Sequence, residues 1–192
     1  MMLGRENELN YLNTAYAKDC SQIIVVYGRR GVGKTTLLKS FMQDKDVFYY
    51  QARETDERGQ IRLLAKAGAS QGLILEKEIP DEYAEIWQAL SFSSGQKKIL
   101  ILENFEQMVK HSASFVPSLT ALLRGNLPEN IMILLCSSSI GFVENDLVPK
   151  IGREAQAISG FLKLRELKFC DLRKFFPLYS VEECVMIYSI FG

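Results

Sequence analysis

The chain is short of the residues that build metal centres and disulfide frameworks. Its 192 residues include one histidine, His111, and four cysteines, Cys20, Cys136, Cys170 and Cys184. The cysteines form no C-x-x-C pair and fall in separate segments, so no zinc constellation is present in the sequence. They read as reduced, half-buried thiols of a cytoplasmic chain. Proline (5) and glycine (13) are too sparse for a linker-rich or disordered chain. No apolar run reaches the roughly 18 residues of a transmembrane helix, so no membrane partner is expected. Met1 to Glu8 is polar and lacks the apolar core of a signal peptide. Net charge is lacking too: 23 Lys+Arg offset 23 Asp+Glu, 23 − 23 = 0. A neutral chain does not carry the basic footprint of a general nucleic-acid binder.

What is present is an ordinary globular composition, 47% hydrophobic and 24% charged. A chain of this length buries roughly 70% of its unfolded surface and needs no staple. One domain is expected. Strand-like and helix-like runs alternate along it. Leu9, Leu12 and Tyr16 share one face of a helix over 6–18, and Ile23–Tyr27 (IIVVY) is a continuous β-branched run. A helix over Thr35–Met42 and a strand over Val47–Tyr50 follow, then helices over 56–70 and 81–92. Ile99–Leu102 (ILIL) and Ile131–Leu135 (IMILL) are further apolar strands, with a helix over Ser114–Arg124 between them closed by Gly125. A strand near Leu162–Leu167 precedes helices at 171–176 and 181–191. Uninterrupted apolar strands separated by helices imply a mostly parallel sheet covered on both faces. Ligands of such sheets bind at the carboxyl ends of the strands, so the residues after Tyr27, Leu102 and Leu135 carry the argument.

After Tyr27 the chain reads Gly28-Arg29-Arg30-Gly31-Val32-Gly33-Lys34-Thr35, then Thr36. This is the G-x-x-x-x-G-K-[ST] phosphate loop, with a strand before it and a helix after it as the chemistry requires. Glycines let backbone N–H groups close around a β-phosphate, and the helix start adds its positive end. Lys34 is placed to reach the β- and γ-phosphates, and the Thr35 hydroxyl to ligate Mg²⁺. Gly28, Arg30, Gly31, Val32, Gly33, Lys34, Thr35 and Thr36 are the candidate nucleotide-binding residues here. Arg29 and Arg30 either add charge near the phosphates or face solvent. A chance match occurs in on the order of one chain in a hundred at average residue frequencies.

After Leu102 comes Glu103, 103 − 34 = 69 residues beyond Lys34. A carboxylate at a neighbouring strand end holds Mg²⁺ through its water shell, which assigns Thr35 and Glu103 to the metal. The next residue is Asn104, and an amide accepts no proton at neutral pH. Glu106 is either a substitute base or a helix-start acid favoured by the dipole. After Leu135, Ser137 or Ser138 stands where a polar group can orient the attacking water, or else caps a turn.

Taken in order, these residues resemble the archaeal-type ATPase family within the AAA+/STAND P-loop ATPases. The likeness rests on Gly4-Arg5-Glu6-Asn7-Glu8-Leu9, the arginine-rich phosphate loop, ILIL with Glu103-Asn104-Phe105-Glu106, and Cys136-Ser137-Ser138-Ser139. It continues through Ile151-Gly152-Arg153, Leu164-Arg165-Glu166-Leu167, Phe175-Phe176-Pro177 and Tyr188-Ser189-Ile190-Phe191-Gly192. The family usually has Asp-Glu where this chain has Glu103-Asn104, and often another arginine at the position of Gly31. The resemblance implies a three-layer α/β/α sandwich on a five-stranded sheet of order 5-1-4-3-2. It implies ATP or ADP as ligand with Mg²⁺, and Arg5 and Glu6 at the rim near the adenine. It makes Arg153 a sensor of the γ-phosphate or a residue acting across a subunit contact, if it is not a solvated loop arginine. It implies self-association through AAA+-type contacts. It also implies that residues 1–192 are a core domain, whose lid, winged-helix and C-terminal parts, together with a protein or DNA partner, lie beyond it.

The leading functional expectation is an ATP-binding switch with slow or impaired hydrolysis, because residue 104 is not a carboxylate. The alternatives are an oligomeric AAA+ ATPase using Glu103 or Glu106 as base, a P-loop small-molecule kinase, and an interaction scaffold. No guanine-reading N/TKxD motif occurs, which favours ATP over GTP.

Overall fold

The computed structural model describes residues 4–71, 80–89, 97–127 and 129–191. Its centre is a parallel sheet of β1 (Gln22–Tyr27), β2 (Val47–Gln51), β3 (Lys98–Glu103), β4 (Ile131–Ser137) and β5 (Gly160–Lys163), in the order β2-β3-β4-β1-β5. All four pairings are parallel. Read from the other edge, this is the order 5-1-4-3-2. The composition of each strand follows its place. The inner strands QIIVVY and IMILLCS are buried at every position, as strands covered on both faces must be. The edge strand VFYYQ alternates, burying Phe48 and Tyr50.

Alternation along the strands divides the core into two layers. Ile24, Val26, Ile101, Met132 and Leu134 face α1 (Glu6–Tyr16) and α2 (Lys34–Met42), where they meet Leu12, Leu37, Leu38 and Phe41. Ile23, Val25, Leu100, Leu102, Ile133 and Leu135 face the opposite way. That layer holds α3 (Glu57–Ser70), α4 (Tyr83–Ala89), α5 (Glu106–His111), α6 (Phe115–Ala121) and α7 (Val148–Ile151). Tyr83, Trp87 and Phe115 form an aromatic knot there, with edge-to-face packing of Tyr83 on Phe115 at 5.2 Å. The chain ends in α8 (Phe169–Phe175) and α9 (Val181–Phe191), joined by Phe169 against Tyr188.

Some expected elements move. The last strand is Gly160–Lys163, not 162–167. Its register is set upstream, by Ser159 N–H on the Ile23 carbonyl (2.8 Å), and it closes with Leu164 N–H on the Tyr27 carbonyl (2.7 Å). Gly160 offers no apolar cue, so the pattern starts late. The helix at 171–176 begins earlier, at Phe169. The helix over 114–124 is α6 followed by a wider-wound turn, Leu122–Asn126, broken at Gly125 with φ +112°. α5 and α7 carry no apolar period long enough to announce them. The expected helix over 81–92 covers Tyr83–Ala89, and its residues 90–92 lie outside the described ones. The cysteines are not half-buried: Cys136 and Cys184 are buried, Cys20 and Cys170 exposed, and all four are free. Among the described residues, no helix is long and apolar enough to cross a membrane.

Candidate functional site

β3, β4 and β1 are neighbours, so their carboxyl ends bring Glu103, Ser137 and Gly28 to one edge of the sheet. A cleft of about 540 Å³ opens there, lined by Gly31, Gly33, Lys34, Thr35, Glu103 and Glu106 among others, while Gly28 and Ser137 lie outside its lining. Arg30, Thr36, Asn104 and Ser138 also reach it.

The loop between β1 and α2 turns on two glycines in left-handed backbone, Gly31 (φ +86°) and Gly33 (φ +95°). A Cβ added to either would meet no described atom within 4 Å, so both glycines face open space. Gly28 is different. A Cβ there would run into the Leu164 carbonyl oxygen, far inside the 3.0 Å that Cβ atoms keep, and would crowd Val32. Gly28 is therefore glycine because β5 leaves the sheet across it. Val32 does not line the cleft; its carbonyl accepts a hydrogen bond from Arg5 at 2.8 Å.

Lys34 opens α2 and is buried. Its ammonium donates to the carbonyls of Gly28 (2.8 Å) and Arg29 (2.9 Å). Burial lowers its pKa from the usual value, while the Glu103 and Glu106 carboxylates oppose that shift. Thr35 Oγ1 donates to Glu103 Oε1 at 2.9 Å, and the Tyr49 hydroxyl donates to Glu103 Oε2. The hydroxyl and the carboxylate expected to face a Mg²⁺ ion thus already touch, across an α2–β3 junction, beside the glycine loop. Hard oxygen donors in this pairing fit Mg²⁺, which keeps several waters and takes one or two protein ligands.

Asn104 has φ +55°, a left-handed backbone that asparagine tolerates better than glutamate. This gives a local reason for an amide at the strand end. Its carbonyl accepts from Gln107 N–H at 2.9 Å, which turns the chain into α5. Glu106, the first residue of α5, is only 6% exposed. Its Oε1 accepts from Ser138 N–H at 3.4 Å, and its Oε2 is buried without a hydrogen-bond partner among the described residues. A helix-start acid gains about 0.3–1 kcal/mol from the dipole. Leaving a buried acceptor unpaired costs about 1–3 kcal/mol. The dipole alone does not account for this placement.

Other expected residues sit elsewhere. Ser137 is fully buried, its hydroxyl accepting from Ser139 N–H (3.0 Å) in a serine turn; Ser138 is the serine on the cleft. Arg5 is 5% exposed and committed to the protein, donating to the carbonyls of Val32 and Arg165 (2.5 Å) and pairing with Glu8 (2.9 Å). It ties the phosphate loop to the segment after β5. Arg5 and Glu6 line a second hollow of about 750 Å³ with Arg165, Lys168 and Lys174. Arg29 pairs with Glu166 at the surface. Arg153 is exposed in the turn Gly152–Ala157, just before β5 at the amino edge of the sheet, away from the cleft of its own chain. Tyr49, Gln51 and Gln107 were not singled out by motif. The period of two in β2, with Gln51 opposite Glu103, is the signal that places Tyr49 and Gln51 on this side.

A family described as an ATPase domain predominantly from Archaea matches residues 2–192. An uncharacterised protein of Methanocaldococcus jannaschii is 30% identical over 98% of this chain, which spans 41% of that protein. An uncharacterised ATP-binding protein of the same organism is 38% identical over 24% of this chain and 80% of its own length. The ADP form of the Aeropyrum pernix ORC2 protein shares the fold at TM-score 0.70 and 20% identity, over 100% of this chain and 58% of that one. A STAND signal-transduction ATPase with a tetratricopeptide repeat sensor from Pyrococcus horikoshii aligns at TM-score 0.60 and 18% identity, over 98% of this chain and 28% of that one. With the phosphate loop, the strand-end acid and this sheet order in place, the chain belongs to the family of ATPase domains found predominantly in Archaea.

Proposed function

We propose that this domain binds ATP with Mg²⁺ and works as a nucleotide-dependent switch whose hydrolysis is slow. The observation that carries the reading is the meeting of Lys34, Thr35 and Glu103 in one cleft with Gly31 and Gly33, beside a strand end whose next residue is Asn104. Triphosphate entering the cleft draws Lys34 from the Gly28 and Arg29 carbonyls onto phosphate oxygens. Thr35 and Glu103 would hold a Mg²⁺ ion, whose charge would offset that of the phosphates. The Arg5 clamp transmits loop position to the segment after β5, because one guanidinium holds both. Its hollow beside Gly4–Glu8 suits the base end of the nucleotide. A ligand shifts a two-state equilibrium only by its differential affinity, and γ-phosphate contacts to Lys34 supply that difference.

Slow turnover follows from the amide at 104. In purified protein, Asn104→Glu should raise single-turnover hydrolysis, and Asn104→Gln, which shares the left-handed strain without a carboxylate, should not. Equal rates in all three proteins contradict the slow-switch reading. Self-association fits the exposed Arg153: if a second copy completes the cleft, turnover per chain rises with protein concentration and Arg153→Ala removes the rise. DNA enters only through neighbours, such as the Aeropyrum pernix ORC1 protein solved in complex with DNA. A DNA or protein partner is assigned here to parts of the protein beyond this neutral domain.

A further inference from the structure

We propose that Glu106, three residues beyond the strand-end acid, is the group that takes the proton from the water attacking the γ-phosphate. The inference rests on the ATP reading above and deepens it. Among the described residues lining the cleft, Glu103 and Glu106 are the only carboxylates. Glu103 has both oxygens engaged, one by Thr35 and one by Tyr49, and stands at the Mg²⁺ position. Glu106 has one oxygen oriented by Ser138 N–H and the other without a donor among the described residues. That oxygen is buried, so rotation of the Glu106 carboxyl brings it to a water in the cleft, and no donor has to be displaced first.

The side chain is also held in place. Phe105 N–H donates to the Cys136 carbonyl (3.2 Å), and the fully buried Phe105 ring packs edge-on against Phe142 at 5.5 Å. The start of α5 is thereby fixed to the end of β4, and Glu106 cannot drift from the cleft without unseating Phe105. Positioning of this kind is what a general base requires. In the step, the water oxygen bonds to the γ-phosphorus as the bond to the β–γ bridging oxygen breaks. The electron pair of the broken bond leaves on ADP. The proton of the water passes to Glu106 and from it to the released phosphate, which leaves the carboxylate ready for another cycle.

The experiment compares wild type, Glu106→Gln and Glu106→Asp in three readings: affinity for Mg·ATP by calorimetry, melting of the nucleotide-free protein, and the ATP-to-ADP ratio of bound nucleotide during a single turnover. The expected result is Glu106→Gln binding ATP within about threefold of wild type, melting no lower, and converting bound ATP more slowly by a factor of about 100 or more. Glu106→Asp should fall between the two. A structural role predicts the opposite melting result, since removing a needed carboxylate lowers stability. Unchanged conversion in Glu106→Gln, lost binding, or a lowered melting point each overturns the proposal. So does a wild type that retains ATP unconverted, although it leaves the binding reading intact. Failure of wild type to bind ATP sinks that reading itself and appears in the titration before any turnover is read.

Discussion

Gly28→Ala separates two reasons for a glycine at the start of a phosphate loop. In the nucleotide explanation the residue is small to admit phosphate, and alanine should harm binding while the apo fold stands. The geometry says otherwise. The new Cβ meets the Leu164 carbonyl oxygen well inside 3.0 Å and sits 3.2 Å from Val32 Cγ1. Leu164 N–H is the donor that closes β5 onto Tyr27, so relief of the clash strains that 2.7 Å bond. Overpacking costs about 1–3 kcal/mol. A weakened backbone hydrogen bond adds about 1 kcal/mol. The stiffer unfolded chain returns about 0.4–1 kcal/mol. The net loss is about 1–3.6 kcal/mol, which lowers the melting temperature of a domain this size by about 2–14 °C. Gly31→Ala and Gly33→Ala meet no atom within 4 Å and bear only the left-handed penalty of about 1–2 kcal/mol, before the same return. Thermal and urea unfolding of the nucleotide-free proteins should therefore rank Gly28→Ala lowest. A Gly28→Ala protein as stable as wild type, with binding lost, refutes the reasoning and restores the phosphate explanation.

Other perturbations have equally definite outcomes. Arg5→Ala should cost about 2–4 kcal/mol in urea unfolding, since it strips charged donors from two carbonyls and unpairs Glu8. Arg5→Lys should recover only part, because an ammonium does not span Val32 and Arg165 together. Burial raises the Tyr50 and Tyr83 hydroxyls from 10.0 to about 12. The native state then holds protons that the unfolded chain releases, so their contribution is complete below pH 10 and is lost as pH rises toward 12. Stability curves should decline over that window, and the Tyr50→Phe, Tyr83→Phe double variant should decline less. The surface pair of Arg29 and Glu166 should be silent: Arg29→Ala should change unfolding by less than about 0.5 kcal/mol.

The parts of this fold legible from sequence are those where one residue type answers one constraint. IIVVY, ILIL and IMILL are buried on both faces, and the strands they mark alternate with helices, so a parallel sheet follows from pattern. The placement of the phosphate-loop motif and Glu103 at strand ends was legible because each directly follows an apolar strand run. What escaped depends on neighbours in space. Arg5 belongs at the rim by motif, yet its guanidinium is consumed by Val32 and Arg165, a contact across 160 residues. Ser137 and Ser138 are equivalent in sequence, and only the pleat of β4 decides that Ser137 is buried and Ser138 faces the cleft. Gly28 is part of the motif for one reason and fixed by Leu164 for another. Glu106 is a first-turn acid in any helix reading, and its burial beside Ser138 shows only once β3 and β4 are adjacent.

The central claim is that Lys34, Thr35 and Glu103 form one Mg·ATP site. It is tested most directly by calorimetric titration of ATP, with Mg²⁺ and with the metal chelated, into wild type, Lys34→Ala and Glu103→Gln. One saturable site per chain is predicted, weakened at least about tenfold in Lys34→Ala, a loss of about 1.4 kcal/mol. In Glu103→Gln the gain from Mg²⁺ should shrink while metal-free binding stays. Equal ATP affinity in wild type and Lys34→Ala, or an undiminished Mg²⁺ effect in Glu103→Gln, contradicts the account.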